Sequence, residues 1–194
     1  IQGTLEAAFS RLFNESIQII GAGRTDAGVH ALGQVAHLVT TKNPQKFKLL
    51  RAINGILPPT LSVHQVYLAP HEFHARKSAA AKTYHYWVLN RSLPSPFRRN
   101  HITWISRPLS LDFLNECSQF IQGTHDFSSF CTAGTHTLTR IRTVHKAIWK
   151  QKKGTQLFCF SITGNGFLKQ MVRNIVGTML DLYFAGESPQ KMNV

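Results

Sequence analysis

Acidic residues are scarce in this chain: nine Asp and Glu stand against 22 Lys and Arg among 194 residues, giving a formal net charge of +13. A surplus of that size attracts polyanions, and its self-repulsion argues against a basic surface with no partner. Cysteine is equally sparse. Cys117, Cys131 and Cys159 are widely spaced, odd in number and form no C-x-x-C pair, which excludes a disulfide framework and a cysteine zinc site. No apolar run approaches the ~20 residues that span a bilayer, and no signal-peptide pattern opens the chain. A cytoplasmic protein with no membrane partner is therefore expected. With 43% apolar residues the chain is globular rather than disordered, and it can bury a real core.

Taken in order, Thr4 is placed to cap a helix whose Leu5, Ala8, Phe9, Leu12 and Phe13 form one apolar stripe ending near Asn14. Residues 17–22 and 34–40 read as short strands flanking the loop 21–31, GAGRTDAGVHA, where three glycines give the backbone unusual freedom. Asn43 and Pro44 signal a helix start, Phe47, Leu50, Ile53 and Leu57 supply its apolar face, and Pro58 and Pro59 stop it. Residues 61–68 are strand-like. Residues 82–90, KTYHYWVLN, are a clearer strand, with Tyr84, Tyr86 and Val88 on one face. Arginines and prolines mark residues 91–107 as a basic loop, interrupted by a short strand at 101–105.

Ser110 caps a helix with Leu114, Cys117 and Ile121 inward and Gly123 at its close. The THDFSSF stretch, 124–130, reads as an irregular turn, and 141–150 with 156–163 as a hairpin across KKG. Leu168, Met171, Val172, Ile175, Val176, Met179 and Tyr183 repeat with helical period up to Gly186, and Ser188 and Pro189 would begin another helix. Helices and strands intermix without strict βαβ alternation, which predicts an α+β fold with a largely antiparallel sheet. Two lobes are expected, an N-terminal one over 1–90 that carries the glycine loop and a C-terminal one over 108–194, joined by the basic loop 91–107.

So few acids allow elimination. Glu6, Glu15, Asp112, Glu116 and Asp181 fall on or beside helices, where solvated faces are their ordinary home, and Glu187 lies in the tail. Asp26, Glu72 and Asp126 are left. Asp26 stands out because Arg24 precedes it by two residues and glycines bracket it; a turn aspartate bonding its own backbone is the plainer alternative. Phosphate-binding readings of the loop fail. The spacing Gly23-x-x-x-x-Gly28 puts Val29 and His30 where a P-loop needs Lys and Ser/Thr, and Asp26 replaces the third glycine of a dinucleotide fingerprint. His71-x-x-His74 has the wrong spacing for zinc on a helix. By pattern alone Tyr84 is a core aromatic, and Arg173, beside Lys169, Gln170 and Gly177 on its helix, faces solvent or a cleft.

Six stretches nonetheless resemble one family in its own order: GRTDAGVHA at 23–31, NGILP at 54–58, FHAR at 73–76, KTYHY at 82–86, GTHDFSSF at 123–130 and GFLKQMVRNIVG at 166–177. The chain is similar to the tRNA pseudouridine synthases of the TruA type, which modify uridines at tRNA positions 38, 39 and 40 in the anticodon stem-loop. The resemblance implies that Asp26 is the catalytic aspartate driving cleavage of the uridine N1–C1′ bond, by attack at C1′ or C6 or by promoting an elimination at the sugar. The freed uracil then turns and rejoins through C5. Arg24 would help displace the nucleotide from the stem, Tyr84 would stack on the uracil and take the C5 proton, and Arg173 would pair with the carboxylate. His74, Arg76 and Lys82 are implied as further substrate contacts.

The same resemblance implies a pseudouridine synthase fold, with two sheet-plus-helix lobes forming a mainly antiparallel central sheet and the active cleft between them. It implies no cofactor, no metal and a homodimer with RNA lying across both subunits. The arginines of 91–107 and Lys150, Lys152 and Lys153 become candidate phosphate contacts. The family's opening strand and closing strand are absent from these 194 residues, so both ends are expected to be truncated relative to it. A non-catalytic RNA-binding module and a synthase acting on other RNA uridines are the alternatives.

Overall fold

A computed structural model describes residues 1–44, 48–132, 134 and 137–192. By internal contacts the chain divides into one unit of Ile1–Thr25 with His30–Ala79 and another of Asp26–Val29 with Ala80–Val194. In the first unit, helix α1 (Gln2–Phe13) buries Ala8, Phe9 and Phe13 against Ile17, Ile19, Ile53 and Leu57. It ends at Asn14, whose left-handed φ of 51° closes the helix as the sequence suggested. Its start differs from expectation. Thr4 lies inside the helix and Ile1 is the cap residue, without a side-chain bond. Glu6 Oε1 instead accepts from Ile19 N–H at 3.0 Å, while Gln2 Nε2 donates to Ile19 O at 3.0 Å and to Glu6 at 2.9 Å.

Those bonds also shorten the following strand. The N–H of Ile17 donates to Ser10 Oγ at 2.9 Å and that of Ile19 to Glu6, so neither is free for a ladder. Pairing is confined to β1 (Ile20–Gly21) against β2 (Ala36–His37), antiparallel. Helix α2 (Leu49–Ile56) buries Ile53 and is followed by Leu57 in extended conformation (ψ 147°), the geometry that Pro58 imposes on its predecessor. Leu50, expected on the apolar face, is 40% exposed, and Leu49 and Ile56 pack in its place; Phe47 lies outside the described residues. No strand is assigned over 61–68. Asn54 accounts for that: Val63 N–H donates to Asn54 Oδ1 and Asn54 Nδ2 donates to Val63 O, both at 2.8 Å, so one side chain takes the place of a neighbouring strand.

The second unit is a five-stranded sheet in the order β4-β3-β7-β6-β5, comprising β3 (Lys82–Asn90), β4 (Thr103–Ile105), β5 (Gly123–Asp126), β6 (Ile141–Gln151) and β7 (Leu157–Gly164). Only β3 with β4 is parallel; the other pairings are antiparallel. Residues 82–90, read from the sequence as the end of the first lobe, belong here because β3 pairs with β7 from Lys82↔Gly164 to Leu89↔Leu157. The division accordingly falls after Ala79, not within 91–107. The opening of THDFSSF is the edge strand β5 rather than a turn, followed by a 3₁₀ turn at Ser128–Phe130.

Helix α3 (Leu111–Phe120) is capped as expected, with Phe113 N–H donating to Ser110 Oγ at 3.3 Å. Helix α4 (Met171–Phe184) starts after Gln170, itself left-handed at φ 59°, and is closed by Ala185 and Gly186 (φ 68°). The two helices bring Leu114, Cys117, Met171, Ile175, Val176 and Met179 into one core with Val88, Trp149, Phe158, Phe160 and Ile162 of the sheet. Trp149 stacks on Phe160 at 5.1 Å and donates its indole N–H to Met179 Sδ at 3.4 Å, which satisfies the one polar atom of a buried ring. Ser188 and Pro189 introduce a 3₁₀ turn, Pro189–Met192, rather than an α-helix within the described residues.

Candidate active site

Asp26 opens a four-residue turn. Val29 N–H donates to Asp26 O at 3.1 Å, and Gly28, the third residue, has φ 81°. A positive φ at that position belongs to a type II turn and selects glycine. A Cβ at Gly28 would meet nothing within 4 Å, so the requirement is conformational and not steric. Gly21 and Gly23 are not at positive φ; the conformational freedom read in the loop is used at Gly28 alone.

The carboxylate finds its partner on α4. Arg173 Nε lies 3.9 Å from Asp26 Oδ2, an ion pair too long for a hydrogen bond, with the side chains 52% and 40% exposed respectively. Arg173 occupies the first turn of α4, where the helix dipole disfavours a cation. Its place is therefore not explained by helix stability, and the nearby carboxylate offsets the unfavourable field. The remaining face of that turn is anchored by Met171, fully buried, and by Asn174, whose Nδ2 donates to Phe130 O at 2.9 Å.

Tyr84 reaches the same carboxylate electrostatically. Its phenol is pushed above its ordinary value of 10.0, first by burial and then by the negative charge of Asp26. The ring is set by Phe167, edge-on at a centroid distance of 5.1 Å and 83°. Phe167 is a site residue that the sequence reading quoted in a motif but never singled out. Behind it, Gly164 allows a close approach: a Cβ there would lie 2.7 Å from Thr143 O and 3.4 Å from Phe167 Cζ. This is where β6 carries a bulge between Val144 and Lys146, and where Asn165 clips the segment to β6 through bonds of 3.1 Å to Thr143 N and O. A G-x-x-F spacing at a strand end is the signal that could have drawn attention to both.

Each of the other candidates has its own surroundings. Asp126, the rival acid, is an ordinary turn aspartate: its Oδ1 accepts from Ser128 N–H at 2.9 Å and Ser128 Oγ at 2.6 Å, which lowers its pKa. Lys82 pairs with Gly164 at the start of β3. Arg24, His74 and Arg76 belong to the first unit. Arg24 and Arg76 are exposed there, while His74 has a structural occupation: its Nδ1 accepts from Arg76 N–H at 3.2 Å and Lys77 N–H at 3.3 Å. Its ring lies 4.9 Å from that of His37, whose Nδ1 accepts from Ala75 N–H at 3.2 Å. Among the described residues no three His, Cys, Asp or Glu side chains are grouped to hold a metal ion, and no helix is long and apolar enough to cross a membrane.

One α+β unit thus carries an arginine-paired carboxylate and an aromatic ring fixed by Phe167, an arrangement suited to an enzyme site. Comparison with known proteins identifies the family. The family model described as tRNA pseudouridine synthase matches residues 1–76 and 118–193. The chain is 43% identical over 191 residues to the tRNA pseudouridine synthase A of Bdellovibrio bacteriovorus, covering 97% of this chain and 72% of that protein. Against the protein of the same name from Bacillus subtilis it is 37% identical over 195 residues, covering 99% of this chain and 78% of the relative. The Dictyoglomus thermophilum protein of that name is 38% identical over 184 residues, covering 94% and 74%. This chain belongs to the tRNA pseudouridine synthase family.

Proposed function

We propose that this protein isomerises uridine to pseudouridine in the anticodon stem-loop of tRNA, with Asp26 as the carboxylate that drives cleavage of the N1–C1′ bond. The observation that carries the reading is the meeting of Asp26 with Arg173 and Tyr84, drawn from a turn, a helix and a strand far apart in sequence. Similarity to proteins named tRNA pseudouridine synthase A over nearly the whole chain supports it. The reaction balances as an isomerisation. The N1–C1′ bond breaks, the uracil turns, a C5–C1′ bond forms, the C5 proton leaves and N1 gains one.

Each residue has a physical reason for its part. Chemistry on a base requires the base outside the stack, held against an aromatic face, and Tyr84 on its rigid strand provides one. Arg173, 3.9 Å away, supplies the opposite charge toward which the Asp26 carboxylate is aimed. Burial, and after it the negative charge of Asp26, raises the Tyr84 phenol above its ordinary value of 10.0. Tyr84 is the proposed acceptor of the C5 proton, which its phenolate oxygen takes once the phenolic proton has passed to solvent. Arg24, His74, Arg76 and Lys82 are the proposed substrate contacts, and the protein is proposed to work in the cytoplasm as a homodimer, a state that light scattering reads directly.

The test is direct. Incubation with tRNA transcripts, followed by carbodiimide-dependent primer extension, should give stops at anticodon-arm uridines for the wild type and none for Asp26→Asn. Tight tRNA binding with no pseudouridine from the wild type would identify a non-catalytic RNA-binding protein instead.

A further inference from the structure

We propose that a basic groove at the opposite end of β3 from Tyr84 grips the phosphate backbone of the RNA substrate, away from the uridine that reacts; this rests on the RNA-modifying function proposed above. The groove, about 1050 Å³, is walled by the loop after β3 and by the β6–β7 turn, and its lining includes Arg91, Phe97, Arg98 and Lys153 and no acidic residue. Pairing of β3 with β7 creates it. Asn90 N–H donates to Gln156 O at 2.9 Å, so a loop and a hairpin turn that are some sixty residues apart in sequence face each other. Tyr84 and Leu89 are five residues apart on β3, about 17 Å at the ~3.4 Å rise of an antiparallel strand.

The walls are braced by their own bonds, and two cationic heads are left over. Arg91 spends its guanidinium on the loop, donating to Leu93 O at 2.7 Å and Pro94 O at 3.1 Å, and Trp104 Nε1 donates to Arg91 O at 2.9 Å. In the turn, Thr155 Oγ1 donates to Lys152 O and Gln151 Nε2 to Thr155 O, both at 2.7 Å. Arg107 is engaged too, its guanidinium 3.6 Å above the centre of the Phe184 ring. The side chains of Arg98 and Lys153 make no hydrogen bond or ion pair with the described residues, Arg98 bonding to its loop through its backbone alone. Beside them Phe97 is 96% exposed, an aromatic face of the kind on which unpaired bases stack. Unpaired cations on braced walls fit a polyanion, and in a chain of net charge +13 a second copy of the chain is disfavoured as the occupant.

The test is tRNA binding and turnover for the wild type and for Arg98→Ala/Lys153→Ala at 50 and 200 mM salt, with circular dichroism to check folding. Losing two phosphate contacts should reduce the slope of log affinity against log salt by about 1.4–1.8. The affinity defect of the double variant should therefore be about tenfold larger at 50 mM than at 200 mM salt. Its kcat/KM on tRNA should fall through KM, and Arg98→Lys/Lys153→Arg, which keeps both charges, should restore binding. An unchanged salt slope, or a defect equal at both salt concentrations, overturns the proposal. If the wild type makes no pseudouridine, the catalytic reading fails by itself, since the salt slope is measured without turnover.

Discussion

Replacing Asp26 by asparagine separates catalysis from stability. At the 3.9 Å separation of Asp26 and Arg173, Coulomb attraction is about 1 kcal/mol in water and about 4 kcal/mol at an effective dielectric of 20. Both side chains are close to half exposed, so the water-like limit applies and the pair is worth at most about 1 kcal/mol. The turn itself uses the backbone carbonyl of residue 26, which asparagine keeps. Asp26→Asn should accordingly lower Tm by no more than about 2–4 °C. Pseudouridine formation, by contrast, should fall by at least 10²–10⁴-fold, the scale on which a positioned acid or base acts. Tritium release from C5-labelled tRNA measures the rate, and calorimetry measures Tm. Turnover within tenfold of wild type would remove Asp26 from the chemistry, and a fall in Tm beyond roughly 8 °C would make its role structural.

Three further outcomes are expected. Gly164→Ala must displace the β6 backbone or Phe167, because its Cβ would lie 2.7 Å from Thr143 O; a loss of about 2 kcal/mol, or 4–8 °C in Tm, should accompany weaker turnover, and an unchanged Tm contradicts the close approach. The Tyr84 phenol titrates above 10.0 because of burial and then Asp26, so in Asp26→Asn its midpoint, followed by NMR of labelled tyrosine, should move down toward that value; an upward shift is incompatible with the contact. The sign for stability follows: Tyr84 contributes below the unfolded value of 10.0, and the contribution is lost as pH rises through its raised folded value. Cys117, fully buried and pushed up to about 11 by burial and by Glu116, should resist iodoacetamide at pH 8 until the protein unfolds, whereas labelling in the native state at the rate of a free thiol would show an open core.

Long periodic segments were legible in the sequence. The apolar repeat of α4, the alternation of β3 and the β6–β7 hairpin appear where their patterns placed them, because burial on one face imposes the period. What failed were places where a side chain does the work of backbone. Asn54 occupies the hydrogen-bonding groups of Val63 that would have marked a strand at 61–68. Glu6 and Glu15 look like solvated helix acids, yet Glu6 binds Ile19 N–H and Glu15 binds the hydroxyls of Thr40 and Thr41. Periodicity also leaves the direction of Arg173 open, since a helix face turned to solvent and one turned to a carboxylate carry the same pattern. The fold, by bringing residues 26–29 into contact with the unit that carries α4, decides it. The basic groove was legible only as two separate cationic stretches, 91–107 and the lysines of the β6–β7 turn, because its walls meet only through strand pairing.

β3 joins the proposed chemistry at Tyr84 to the proposed phosphate groove, whose lining begins at Leu89, along a single strand. Side chains on a strand alternate, so inserting one residue between them would turn Tyr84 to the opposite face of the sheet. The gauge between the two ends can therefore change only in pairs of residues, by steps of about 6.8 Å. A strand used in this way is a ruler with coarse graduations: adaptation to a different RNA would have to come from the loop and the hairpin turn at its end, leaving the spacing itself fixed.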